Sequence, residues 1–180
     1  IKDKNINILF ECIGKSDGIS KKIVEQSIKN KIHVITPNKA LISKHGDYLS
    51  KLAEKNKVNL EFEASVGGGI PILRTIKEGL ATNKISKVYG ILNGTCNYIL
   101  SEMESTKDTF FNVLKKAQKL GYAEPRNPKY DLNGIDALAK VRILSALAFN
   151  KKISKNKCLM NGIENIEFND IEMAAKLNFR

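Results

Sequence analysis

Residues 32–66, IHVITPNKALISKHGDYLSKLAEKNKVNLEFEASV, decide the fold. Ile32 to Thr36 is a β-branched run, typical of an interior strand in a parallel sheet. Pro37 to Asn56 reads as one or two helical pieces interrupted at Gly46. Leu60 to Val66 alternates strictly between apolar and polar positions, which predicts a strand with one wet face. Upstream, Asn5 to Gly14 (NINILFECIG) reads as a short buried strand ending in a glycine turn, and Ile19, Ile23, Val24 and Ile28 mark one side of the helix after it. Strand, helix, strand, helix, strand in that order implies an α/β protein whose parallel sheet is joined by right-handed crossovers.

Towards the C-terminus, Gly67-Gly68-Gly69 turns the chain into IPILRTIKEGL, where Pro71 suits a first helical turn and Leu73, Ile76 and Leu80 form the buried stripe. Val88 to Leu92 (VYGIL) reads as a further strand, and Asn93-Gly94-Thr95 opens a helix through Met103. Thr109 to Leu120 is amphipathic, with Phe110, Val113, Leu114, Ala117 and Leu120 on one side and Gly121 as its stop. Lys151 to Lys157 reads as a basic loop, followed by a short mixed tail.

Ile135 to Phe149, IDALAKVRILSALAF, is apolar on more than one helical face, which predicts a buried helix. Its charges are Asp136, Lys140 and Arg142, and Asp136 and Lys140 are one turn apart on a shared face. Glu124 and Asp131 lie just upstream, in a segment rich in Pro, Asn and Gly. Two readings stand: an ordinary helix ion pair worth a few tenths of a kcal/mol, or a polar site at the end of a core helix, since a buried charge must be paired or working.

The glycines leave a similar choice. No Gly-Lys-Ser/Thr follows the triple glycine, and no G-x-G-x-x-G occurs in the chain. Gly67 to Gly69 therefore serves a tight turn or brings backbone groups near a ligand or ion. Thr36-Pro37-Asn38-Lys39 follows the interior strand, at the edge where open α/β sheets bind ligands; Lys39 either starts a helix or touches the ligand.

Composition narrows the classes. The chain has 180 residues, 42% hydrophobic and 27% charged, enough for one core or one domain plus part of another. No apolar run reaches a membrane span, and the first residue, Ile1, opens directly on a strand-like run, so a piece of a longer protein is expected. Cys12, Cys96 and Cys158 are widely spaced and odd in number, as in a cytoplasmic protein with reduced thiols, and with two histidines (His33, His45) a histidine-rich metal site is unavailable. The balance of 30 basic against 19 acidic residues gives a net charge of +11, but the lysines are spread over every segment without base-stacking motifs, which argues against a nucleic-acid partner.

Four ordered blocks then carry a resemblance: VITPNKALISKHG, FEASVGGGIPILRTIKEGL, ILNGTCNYIL and LGYAEP with DLNGIDALAK. Together they resemble homoserine dehydrogenase, from about Phe10 to Asn150. The resemblance implies a partial Rossmann-type parallel sheet in residues 1–68, the C-terminal part of an NAD(P)-binding domain, followed in residues 69–180 by an incomplete mixed α/β substrate and dimerisation domain. It implies reversible NAD(P)H-dependent reduction of L-aspartate 4-semialdehyde to L-homoserine, on the way to threonine, methionine and isoleucine, in a cytoplasmic homodimer. NAD and NADP both remain open. Carried over by position, Lys140 resembles the catalytic lysine and Lys39 the lysine beside cofactor and substrate. Glu124, Asp136 and Asp131 resemble substrate-binding carboxylates, and Gly14 and Gly121 positions beside the cofactor. Glu63, Val66, Gly68 and Ile70 resemble the positions whose main-chain carbonyls bind a structural monovalent cation, usually sodium. Two departures are visible: the glycine fingerprint is absent, which predicts weak cofactor binding and little activity for this chain alone, and PRNPKY between Glu124 and Asp131 is longer than the family pattern. The alternatives are a catalytically silent dimerising fragment and, less in keeping with the lysine distribution, a basic nucleic-acid binder.

Overall fold

The computed structural model describes residue 3, residues 5–151 and residues 158–179. They divide into two compact units, Ile1–Tyr89 with Ala139–Lys155 and Gly90–Leu138 with Asn156–Arg180.

The first unit carries β1 (Ile8–Phe10), α1 (Ile19–Lys29), β2 (His33–Ile35), α2 (Lys39–Asn56) and β3 (Leu60–Glu61). The strands are parallel in the order β1-β2-β3, with Leu9 opposite Val34 and Val34 opposite Leu60. The expected α/β sheet is present and its β-branched strand is the central one. Val34, Val24, Ile28, Leu41 and Leu49 are buried completely, which is where the hydrophobic stabilisation of this unit concentrates.

Several local expectations change. The strand at Ile8–Phe10 is not buried: it lies at one end of the strand order, with Ile8 50% and Phe10 68% exposed. On α1 the buried face is Ser20, Val24, Ser27 and Ile28, while Ile19 is exposed. α2 runs through Gly46 without a break. Asn38 caps its start, and a Cβ at position 46 would meet Ile42 Cγ2 at 3.2 Å. A single interior glycine costs a helix only about 1 kcal/mol, which eighteen capped residues overcome. The alternating stretch from Leu60 stops being a strand after Glu61 and becomes a 3₁₀ turn over Glu63–Ser65.

Glu63 is drawn out of the strand pattern because its carboxylate accepts from the N–H groups of Leu73 (3.0 Å) and Arg74 (2.8 Å). Those are the otherwise unbonded donors of the next helix, α3 (Ile72–Arg74). α3 continues into a single π-helical stretch, Thr75–Gly79, burying Leu73 and Ile76 but not Leu80. Val88 to Leu92 forms no strand, and Tyr89 (85%) and Ile91 (76%) are exposed. A strand exists by pairing its backbone, and among the described residues the sheet has only three members.

The second unit is helical: α4 (Gly94–Thr106), α5 (Phe110–Lys119), α6 (Lys129–Leu132), the first turn of α7 (Ile135–Phe149) and α8 (Phe168–Lys176). Its core is Ile99, Met103, Val113, Ala117, Ala123 and Leu132, with Phe110, Leu114, Ile163 and Ile171 packed against it. α6 and α8 were not expected. α8 sits in the mixed tail, and Ile171 ties it to the core. The segment before it approaches α6 closely. Ile163 N–H donates to the Leu132 carbonyl at 3.0 Å, and a Cβ at Gly162 would fall 2.6 Å from that oxygen, so only glycine fits there. The helix over Ile135–Phe149 is as expected, and its buried residues, Asp136, Leu138, Ala139, Ile143, Leu144 and Ser145, fall on more than one face, although Val141 is exposed. The basic stretch beyond Lys151 lies outside the described residues. Among the described residues no helix is long and apolar enough to cross a membrane.

Candidate active site

In the first unit, polar groups gather past the C-terminal ends of β1 and β2. Glu11, only 2% exposed, follows β1 directly. Its carboxylate accepts from the Thr36 hydroxyl (2.7 Å), the Ile13 N–H (2.8 Å) and the Asn38 amide (3.2 Å). Burial pushes this carboxyl up, but the bonds from Thr36, the Ile13 N–H and Asn38 outweigh it and hold it below the ordinary carboxylate value. Asn38 also donates to the Lys15 carbonyl (2.9 Å) and accepts from the Leu41 N–H (3.1 Å), capping α2. One buried acid thus stitches the loop holding Gly14 to the turn holding Lys39. Gly14 has φ +87° and open space around its missing Cβ, and Lys39 begins α2 half-buried. This edge is the place an open parallel sheet offers a nucleotide cofactor, so the residues present fit one there. Glu11 went unnoticed in the sequence, although an acid closing the apolar run NILFE was the signal.

The glycine turn of the same unit holds Glu63, Val66, Gly68 and Ile70. The Glu63 carbonyl accepts from the Val66 N–H (3.4 Å) and the Ile70 carbonyl from the Ile72 N–H (2.8 Å). A carbonyl oxygen has two lone pairs, so each of these two carbonyls keeps a further acceptor site.

In the second unit the start of α4 is the organising element. Asn93, 9% exposed, accepts from the Cys96 N–H (2.8 Å) as its cap. Its amide nitrogen donates to Asp131 (3.0 Å) and to Asp136 (2.9 Å), which is 1% exposed. Asp131 and Asp136 are therefore brought together. The neighbouring Cys96 thiol is pushed above its ordinary value, by burial first and then by the charges of Asp131 and Asp136. Thr95 donates to the Tyr122 carbonyl (2.7 Å), and the Tyr122 ring stacks on Tyr98 with centroids 4.4 Å apart. These contacts fasten the segment Gly121–Glu124 to α4. Gly121 takes φ +81° as α5 ends, and Glu124 is exposed, its carbonyl accepting from Gln118 (3.1 Å). Asn93 and Asp131 line a cavity of about 930 Å³ along α4. Asn93 and Thr95 went unassigned in the sequence, where NGT read only as a helix start.

Of the remaining residues, Lys140 lies one turn after Asp136 on the continuous helix α7, half-buried. Lys39 and Lys140 belong to the first unit, and Glu124, Asp131 and Asp136 to the second. Within the second unit, two carboxylates held by one amide can receive an amino group.

Comparison with known proteins gives the family. The homoserine dehydrogenase family model matches residues 71–180, and the model of the homoserine dehydrogenase NAD binding domain matches residues 1–63. The chain is 44% identical over 177 residues to homoserine dehydrogenase of Neisseria gonorrhoeae, covering 98% of this chain and 40% of that protein. It is 39% identical over 179 residues to the Bacillus subtilis enzyme, covering 99% and 41%. Among solved structures, a homoserine dehydrogenase from Thiobacillus denitrificans superposes with a TM-score of 0.92 at 42% identity, over 97% of this chain and 40% of that one. A hyperthermophilic archaeal homoserine dehydrogenase mutant in complex with NADPH gives 0.82 at 26% identity, over 90% and 49%. The chain thus spans about 40% of the length of the curated relatives it matches. With both family models matched in order and the parallel sheet shared, the chain belongs to the homoserine dehydrogenase family.

Proposed function

We propose that the protein carrying this chain interconverts L-aspartate 4-semialdehyde and L-homoserine with NAD(P)H, in the biosynthesis of threonine, methionine and isoleucine. The observation that carries the reading is the Asp131–Asn93–Asp136 cluster with a lysine one turn further along α7. Asp131, Asp136 and Glu124 receive the substrate's α-ammonium, which needs anionic partners. The cofactor, when bound, supplies the hydride. Lys140 holds its ammonium at the carbonyl oxygen, where negative charge accumulates during reduction, and passes it a proton. Lys39, at the start of α2 and beside the loop anchored by Glu11, takes the role of the lysine beside cofactor and substrate, and Gly14 and Gly121 the roles of cofactor-binding positions. Either dinucleotide is compatible with these roles; the archaeal relative solved with NADPH supports NADP.

The carbonyls of Glu63, Val66, Gly68 and Ile70 hold a sodium-like ion that stiffens the turn into α3. Residues 1–68 form the dinucleotide part and residues 69–180 the substrate and dimerisation part, divided near the gap between the matched segments 1–63 and 71–180. The assembly is a cytoplasmic homodimer without nucleic-acid or membrane partners; the free thiols of Cys12, Cys96 and Cys158 support a reducing compartment. The direct test is Lys140→Ala in the full-length protein. Turnover of L-homoserine should fall by roughly 10²-fold or more while folding persists. Near-normal turnover would remove the lysine from the reaction.

A further inference from the structure

We infer that Asn93 is a positioning residue that sets Asp131 and Asp136 side by side for one substrate ammonium. The inference rests on the reaction proposed above. Asn93 is nearly buried, and its two amide ends have different tasks. The oxygen accepts from the Cys96 N–H at 2.8 Å, and this bond fixes both the amide plane and which end is nitrogen. The nitrogen then has two hydrogens, and two carboxylates wait for them: Asp131 Oδ1 at 3.0 Å and Asp136 Oδ2 at 2.9 Å.

Two like charges this close to a common donor repel, and the donor offsets that repulsion with two charge-assisted bonds. Asp131 lies in the four-residue helix α6 and Asp136 in the first turn of α7, with Asn133 and Gly134 between the helices. The amide therefore couples two elements to the start of a third, α4. The same geometry makes the pair a preformed receptor for a primary ammonium.

The two tasks can be separated. Serine at position 93 still caps a helix but cannot bridge two carboxylates, and aspartate caps while adding a third negative charge. In the full-length protein, Asn93→Ser should raise KM for L-homoserine roughly tenfold or more, the size expected for charge-assisted bonds. Its kcat and KM for NADPH should change much less, and the Tm should fall only modestly as the two carboxylates lose their shared donor. Asn93→Asp should raise KM for L-homoserine further. An unchanged KM for L-homoserine in Asn93→Ser would overturn the bridging role and leave the reaction standing. Joint loss of Tm, kcat and both KM values in the serine and aspartate variants would reduce Asn93 to a helix cap and also overturn it. Absence of L-homoserine turnover in the wild type would remove the reaction and this inference together.

Discussion

Each unit of the chain holds buried acid with an asparagine that also caps a helix, yet the two arrangements differ in balance. In the sheet-bearing unit Asn38 caps α2 and helps serve one carboxylate, Glu11, which collects a hydroxyl, a backbone N–H and the amide. In the helical unit Asn93 caps α4 and divides its amide between two carboxylates. Donors outnumber acids around Glu11, so that cluster holds the fold together at the sheet edge. Around Asn93 two carboxylates share one amide, so that cluster brings negative charge together, as the proposed ammonium site requires. The same small device serves one carboxylate in one place and joins two in the other, and on the proposed reading the second arrangement serves recognition.

The comparison can be broken most directly at Glu11. Glu11→Ala leaves the Thr36 hydroxyl, the Ile13 N–H and the Asn38 amide without their acceptor, and should cost about 2–4 kcal/mol in chemical denaturation; a loss below about 1 kcal/mol would deny the cluster its structural role. Asp136→Asn should behave in the opposite way. Removing one of two neighbouring charges should change stability by about 1 kcal/mol at most, while KM for L-homoserine rises roughly tenfold. Equal stability losses in the two variants would erase the contrast.

A smaller effect sharpens it through pH. The folded state holds Glu11 below its ordinary value of 4.5, so its contribution is present above that value and is lost as pH falls through the lower folded one. Stability measured between neutral and acid pH should therefore fall less steeply in Glu11→Gln than in wild type. The smallest effect is expected at Gly46. Gly46→Ala gains about 1 kcal/mol of helix propensity but brings a methyl to 3.2 Å from Ile42 Cγ2. The two should nearly cancel, leaving the Tm close to wild type.

Much of the fold was legible in local pattern. The β-branched run at Ile32 to Thr36 identified the central strand, and the helices at α1, α2, α4, α5 and α7 followed from apolar spacing and from caps such as Asn93, Thr109 and Gly121. The errors have one source. Leu60 to Val66 alternates like a strand, yet its second polar residue, Glu63, is claimed by N–H groups ten and eleven residues away. Val88 to Leu92 has strand composition, but a strand also needs a neighbour. α8 was hidden in a mixed tail because its value lies in one contact, Ile171 against a core built from residues some forty to seventy positions earlier.

The site divides similarly. Asp136 and Lys140 could be paired from their spacing because helix geometry alone sets residues four apart on one face. That Asp131 joins Asp136, and that Asn93 is what joins them, could not be read from spacing, since the partners are separated by 38 and 43 positions in the chain. The sequence by itself determined the family, the parallel order of the first strands and the acid–lysine turn of α7, all properties of short-range pattern and residue identity. Only the tertiary structure decided which buried acids share a donor and which strand-like runs find no partner. Hydrogen bonding and burial are settled by neighbours in space, and one chain pattern is compatible with several such neighbourhoods.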